Sequence, residues 1–184
     1  MRTLLIVFAA FALHTAHAAA ADVAVVGYGP WHIGMTKSAV AAVESFGPYK
    51  EVRSTGGLET ANGTFLGEKA NVSFVFGDAG LRKIQIWAYE GKDLEAALDG
   101  WKRAFEFTEQ SFGEVEAPSL GLSGKITSSR IVMALREKLA TSPSTDAVKV
   151  QLAPKQMPNG LSVFASFFRH PQYGYFVFLY HQKP

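Results

Sequence analysis

The apolar positions of the chain change period several times, and each change marks an element. From Thr36 to Phe46 they fall at Ala39, Val40, Val43 and Phe46, a helical spacing that Gly47-Pro48 closes. Thr36 has N-cap chemistry and Met35 and Val40 have the spacing of a hydrophobic staple, so the stretch predicts a helix of about ten residues, short enough to need docking on a sheet. Alternation with a period of two follows. "ETANGTFL" reads as a small hairpin turning at Asn62-Gly63, a type I′ pair. "NVSFVFGDAGLRKIQIWAY" reads as a longer hairpin turning between Gly77 and Gly80. Val72, Phe74 and Phe76 share a face of its first strand; in the second, Ile84, Ile86 and Ala88 alternate with Lys83, Gln85, Trp87 and Tyr89.

The longest helical period runs near Asp93 to Phe112 through Leu94, Leu98, Trp101, Phe105, Thr108 and Phe112, and Gly113 ends it. Asp99 and Arg103, four apart, belong to its wet side. After the loop "VEAPSLGLSGKITSS", Ser128 or Ser129 caps a third helix through Leu139, although "RIVMAL" also reads as a strand. Three strands close the chain: "AVKVQL", "LSVFASFFR" and "YGYFVFLYH", the last two joined through "HPQYG". The predicted fold is one α+β domain, an antiparallel β-sheet with helices packed on one face. A helix followed by antiparallel strands occurs near 36–89 and again near 128–181, which reads as two tandem helix-plus-sheet modules without alignable sequence.

The closing strands depart from the alternation of a half-solvated sheet. Val163, Ala165 and Phe167 share one face and Phe164, Ser166 and Phe168 the other, while Val177 and Leu179 oppose Phe176, Phe178 and Tyr180. Both faces are apolar. Either this pair is covered on both sides, or one aromatic face is left for a partner, since exposed aromatic patches mark interaction surfaces. Phe164, Phe176, Phe178 and Tyr180 are therefore the candidate partner-binding residues. Trp87 and Tyr89 extend the patch if the two hairpins share one sheet.

The N-terminus sets the compartment. Arg2, the uncharged run Leu4 to Leu13 and the small residues of Ala16-His17-Ala18 read as a signal peptide over residues 1–18, with cleavage as late as Ala21. The apolar run is too short for a spanning helix, which needs about 20 residues. The expected product, residues 19–184, is a periplasmic or secreted domain with no membrane anchor after processing. Its charge is close to balance, because loss of Arg2 from the 18 basic residues leaves one more than the 16 acidic ones. No run of like charge suggests nucleic acid as a partner. The chain has no cysteine, which excludes disulfides, thiolate catalysis and cysteine-bound metals. At this length a hydrophobic core suffices without such staples.

Catalytic signatures are lacking. His32, His170 and His181 are isolated and read as turn or strand-surface residues, with no second ligand at the spacing of H-E-x-x-H. "GLSGK" around Ser123 completes neither a nucleophile elbow nor a P-loop, and "GYGP" from Gly27 reads as a loop. Glu106, Glu109, Glu114 and Glu116 read as solvated charge. No catalytic residue, cofactor or metal is expected.

Gly34-Met35-Thr36-Lys37, then Val40, then Gly47-Pro48, then an aspartate-glycine-type turn before Leu81, resemble the opening of the SmpA/OmlA family to which BamE belongs. As a fold, the resemblance extends to the beta-lactamase-inhibitor-protein-like architecture of tandem helix-plus-sheet modules. It covers roughly residues 31–89. The chain departs from the family in having no lipid-bearing cysteine, and in a second half without counterpart in single-module members. The resemblance implies a non-catalytic protein that binds another protein in the cell envelope. The expectation is thus an exported interaction module whose partner is an envelope or secreted protein. A small-ligand carrier with an aromatic-lined pocket and an uncharacterised hydrolase are the alternatives. A carrier requires a large internal cavity, whereas a protein binder has a filled core and an exposed apolar patch.

Overall fold

The computed structural model describes residues 27–157 and 160–183. The predicted signal peptide lies outside them. In chain order the elements are β1 (Gly27–Tyr28), β2 (Trp31–His32), α1 (Lys37–Ala41), a 3-10 turn (Glu44–Phe46), β3 (Lys50–Val52), β4 (Gly57–Phe65), β5 (Glu68–Gly77) and β6 (Gly80–Gly91). Then come α2 (Leu94–Phe112), β7 (Val115–Glu116), a second 3-10 turn (Pro118–Leu120), α3 (Ser128–Thr141), β8 (Val148–Pro154), β9 (Ser162–His170) and β10 (Gly174–Gln182). Strands β3 to β10 form one antiparallel sheet in the order β3-β4-β5-β6-β10-β9-β8-β7, so the last strand of each half meets the other at the centre. The fold is α+β, as the periodicity predicts.

One face of this sheet carries the core. Ile84, Ile86, Val177, Leu179, Phe167 and Val150 are fully buried on it, beneath Leu98, Trp101 and Phe105 of α2. Those helix residues are the predicted stripe. Asp93 caps α2 by accepting from the amides of Glu95 and Ala96, and Gly113 ends it at φ 83°. Asp99 pairs with Arg103 at 3.1 Å on the solvent side. The third helix docks on α2 through Ile131, Leu135 and Leu139, and its cap is Thr127, one residue before the predicted serines.

Arg169 secures the other end of α3. It points from β9 into the core face at 9 % exposure, and its guanidinium donates to the carbonyls of Leu139 and Ser142 at 3.3 Å, to Asp146 at 3.1 Å and to Pro143. Oxygen atoms at a helix C-terminus carry partial negative charge, so a cation is stabilised there without a carboxylate.

The opening stretch is anchored by its backbone. Gly34 donates to the Leu81 carbonyl at 2.8 Å and Leu81 returns the bond to Met35 at 2.7 Å. Gly80 sits beside them at φ 95°, where a Cβ would stand 2.5 Å from the Gly34 oxygen. Thr36 caps α1 as predicted, accepting from Ala39 at 3.1 Å, and Val40 is buried. The helix is shorter than the sequence suggests. Val43 leaves the helical region at ψ 77°, where its carbonyl accepts from the Tyr49 hydroxyl, and a 3-10 turn replaces the last turn. "GYGP" is also more ordered than expected, forming the tight turn between β1 and β2.

The Asn62-Gly63 turn is not formed. β4 continues through it, and the reversal comes later at Leu66-Gly67, both at positive φ as a type I′ turn requires. Asn62 instead occupies a bulge between Thr60 and Gly63, its side chain donating to the Gly47 carbonyl. Gly63 passes under β5, where a Cβ would stand 2.3 Å from Val72 Cγ2 and 2.8 Å from the Ala70 oxygen. Gly63→Ala should therefore destabilise the fold by about 1–3 kcal/mol in denaturant titration, the usual cost of overpacking. A residue in an exposed turn would give a smaller loss.

Candidate functional site: the uncovered face of the sheet

The opposite face has no helix packed on it among the described residues. Register places Gln151, Ser166, Phe178, Trp87 and Asn71 on one rung across it, and Phe164, Tyr180, Gln85, Ser73 and Glu59 on the next. A third rung holds Lys149, Phe168, Phe176 and Glu90. The aromatic members are half-buried by one another. Phe164 stacks on Tyr180 with centroids 4.5 Å apart, Phe176 stacks on Phe178 at 5.8 Å, and Tyr180 lies 5.9 Å from Phe178. Trp87 meets Phe178 edge to face at 5.0 Å, and Phe168 lies 6.2 Å from Phe176. This geometry is the favoured one for aromatic pairs.

The structure thus brings together Phe164, Phe176, Phe178, Tyr180 and Trp87 from the sequence analysis. It does not bring Tyr89. A bulge at Ala88, opposite the step from Val177 to Phe178, reverses the alternation of β6, so Tyr89 pairs with Val177 and turns to the helix side. There its hydroxyl donates to the Asp93 carbonyl at 2.9 Å and accepts from the Asp93 amide at 3.1 Å, fixing the start of α2. Tyr89 is a helix-anchoring residue, not part of the patch.

Phe168 and two lysines complete the face. Phe168 was legible from its parity with Phe164; the lysines were not, because their closeness depends on the pairing of distant strands. Lys83 Nζ lies 4.7 Å from the centroid of the Tyr180 ring. Burial lowers the pKa of Lys83, and the neighbouring charges of Arg82 and Lys149 lower it further. Burial pushes the Tyr180 hydroxyl up to about 12. The face is therefore an aromatic platform with Lys83 over one ring and Lys149 on the rung of Phe168, neither in an ion pair among the described residues, and with amides and hydroxyls at its margins.

Two cavities border the platform. One, of about 370 Å³, lies at the β7–β8 side between Phe164, Gln151, Gln182 and Ser119. The other, of about 420 Å³, lies over β4 and β5 beside Trp87. Neither enters the core beneath α2.

No protein-family model, curated protein or solved structure matches this chain. The site is therefore read from its own chemistry. No group of three or more metal-ligating side chains forms among the described residues, and no described helix is long and apolar enough to cross a membrane.

The histidines are not brought together. His32 is exposed, and His170 shapes the β9–β10 turn, its Nδ1 accepting from the amides of Gln172 and Tyr173. His181 is not at the strand surface, as expected from sequence; it is 2 % exposed on the core face, its ring 5.9 Å from those of Tyr28 and Phe112. Neither ring nitrogen has a partner among the described residues, and the Tyr28 hydroxyl is engaged by the Thr64 carbonyl. Burial lowers its pKa from 6.5 to about 4. The unfolded chain binds this proton first, so stability is full above about pH 6.5 and falls as pH drops towards 4, by about 3 kcal/mol at most. His181→Phe, compared with the native protein by chemical denaturation between pH 7 and 4, should show a flatter acid limb.

Proposed function

We propose that the protein is an exported, non-catalytic interaction module that holds a partner protein of the cell envelope on the uncovered face of its sheet. The observation that carries this reading is the half-exposed aromatic platform of Phe164, Phe168, Phe176, Phe178, Tyr180 and Trp87 beneath Lys83 and Lys149. Aromatic side chains concentrate at interface centres because they bury much area with few rotatable bonds. Lys83 is partly desolvated in the free protein and stands over the Tyr180 ring with no carboxylate beside it among the described residues, so a carboxylate is the group that best relieves it. The fitting partner presents apolar side chains flanked by an acidic one. The resemblance over residues 31–89 and the N-terminal export pattern support the same compartment and role. The two cavities beside the platform open on the sheet face, while the described residues beneath α2 pack into one buried cluster, which favours a protein binder over a carrier that encloses its ligand.

Replacing Phe178 with photoreactive p-benzoylphenylalanine in the exported protein should yield one dominant crosslinked adduct on illumination in intact cells. The same replacement at Lys102, on the exposed side of α2, should yield none. Tyr180→Ala should weaken that partner by about 2 kcal/mol or more, a hot-spot loss, while lowering stability by about 1 kcal/mol. Lys83→Glu should weaken it further and remove most of its salt dependence. Equal labelling from both positions would overturn the assignment.

A further inference from the structure

We propose that the cavity on the β4–β5 side of Trp87 is a carbohydrate site that takes a pyranose unit of a neutral glycan. Its volume of about 420 Å³ falls in the usual range for small-ligand sites, about 300–1,000 Å³. One wall is the Trp87 indole, held from the β10 side by edge-to-face contacts with Phe178 at 5.0 Å and Phe176 at 6.2 Å. The remaining lining is mixed: Pro48 and Ala61 are apolar, while Lys50, Glu59, Asn62, Asn71 and Ser73 bring polar groups. The side chains of Asn71, Lys50 and Glu59 make no hydrogen bond or ion pair among the described residues, although Lys50 and Glu59 face each other across β3 and β4. Asn62 is fixed in advance. Its amide nitrogen donates to the Gly47 carbonyl, which leaves its side-chain oxygen as an oriented acceptor, and the Thr60 hydroxyl secures the same bulge by donating to Phe46.

This lining selects by elimination. An apolar ligand laid over Asn71, Lys50 and Glu59 would take water from them and return no hydrogen bond. Glu59 repels a phosphate and Lys50 repels a cation, so neither ionic class gains from a pair whose charges cancel. A pyranose meets both requirements at once. Its ring C–H groups pack on an aromatic face, and its equatorial hydroxyls both donate and accept towards amides, carboxylate and ammonium. The site shares Trp87 with the platform, but its polar wall belongs to β3, β4 and β5, so Asn71 and Glu59 test it separately from the protein-binding reading.

Trp87 also supplies the assay. Trp31 and Trp101 are 1 % and 0 % exposed, so a change in tryptophan fluorescence on ligand binding reports chiefly on Trp87. Titrating the folded protein with chitotriose, cellotriose and maltotriose at millimolar concentrations should give a saturable change with at least one of them, matched by heat in calorimetry. Asn71→Ala and Glu59→Gln, both at exposed side chains, should each weaken that sugar several-fold. Trp87→Ala, followed by calorimetry, should weaken it by about tenfold or more, and Phe164→Ala at the far side of the platform should leave it unchanged. Absence of saturation with all three sugars overturns the proposal. So does sugar binding that survives the Asn71→Ala, Glu59→Gln double variant, which decides the matter even where Trp87→Ala does not fold.

Discussion

The pairing of β6 with β10 is the constraint on which the molecule depends. Each is the last strand of its half, and their ladder from Lys83–Gln182 to Gly91–Tyr175 turns two short sheets into one. Helix α2 leaves β6 and covers this seam, so its buried stripe serves both halves together. The aromatic platform has the same origin. Trp87 comes from β6, Phe176, Phe178 and Tyr180 from β10, and Phe164 and Phe168 from β9; without the central ladder Trp87 is cut off from the rings that β9 and β10 hold together.

The parity of the strands was legible in the sequence because each side chain follows its neighbour to the opposite face, and the core positions repeat faithfully. Helix α2 was legible for the same local reasons, since Asp93, the apolar stripe and Gly113 carry its start, face and end. What could not be read were features set by register. Asn62-Gly63 has the composition of a hairpin turn, yet the close passage of Val72 over Gly63 makes it a bulge. Tyr89 follows the alternation of Trp87 in sequence, yet one unpaired residue reverses its face. Both exceptions are bulges, and a bulge is defined only against a partner strand. The cations at the aromatic face were hidden for a related reason: Lys83 and Lys149 are far apart in the chain, and only the sheet brings both to one face.

Arg169 and His181 mark two ways of placing a polar side chain in the core. Arg169 brings its guanidinium inward but meets a ring of carbonyl oxygens at the end of α3, so its burial ties the third helix to the second set of strands. His181 has no such bonds among the described residues, and burial between aromatic rings favours its neutral form. The first arrangement is held by hydrogen bonds to main-chain oxygens. The second makes the centre of the sheet the acid-sensitive part of the fold.

The sheet ends in very short strands, three residues in β3 and two in β7. The longer strands inside them are closed by side chains instead: Ser119 Oγ accepts from the Gln151 amide at 3.2 Å and donates to its carbonyl, and Tyr28 takes the Thr64 carbonyl on the other side. An incoming chain therefore finds little free backbone to add to, which guards a sheet this apolar against growth into larger aggregates. It also decides the language of recognition. With the rims closed, the recognition proposed for the open face would run through its side chains, where identity is specified, and not through main-chain pairing, which would accept almost any extended strand.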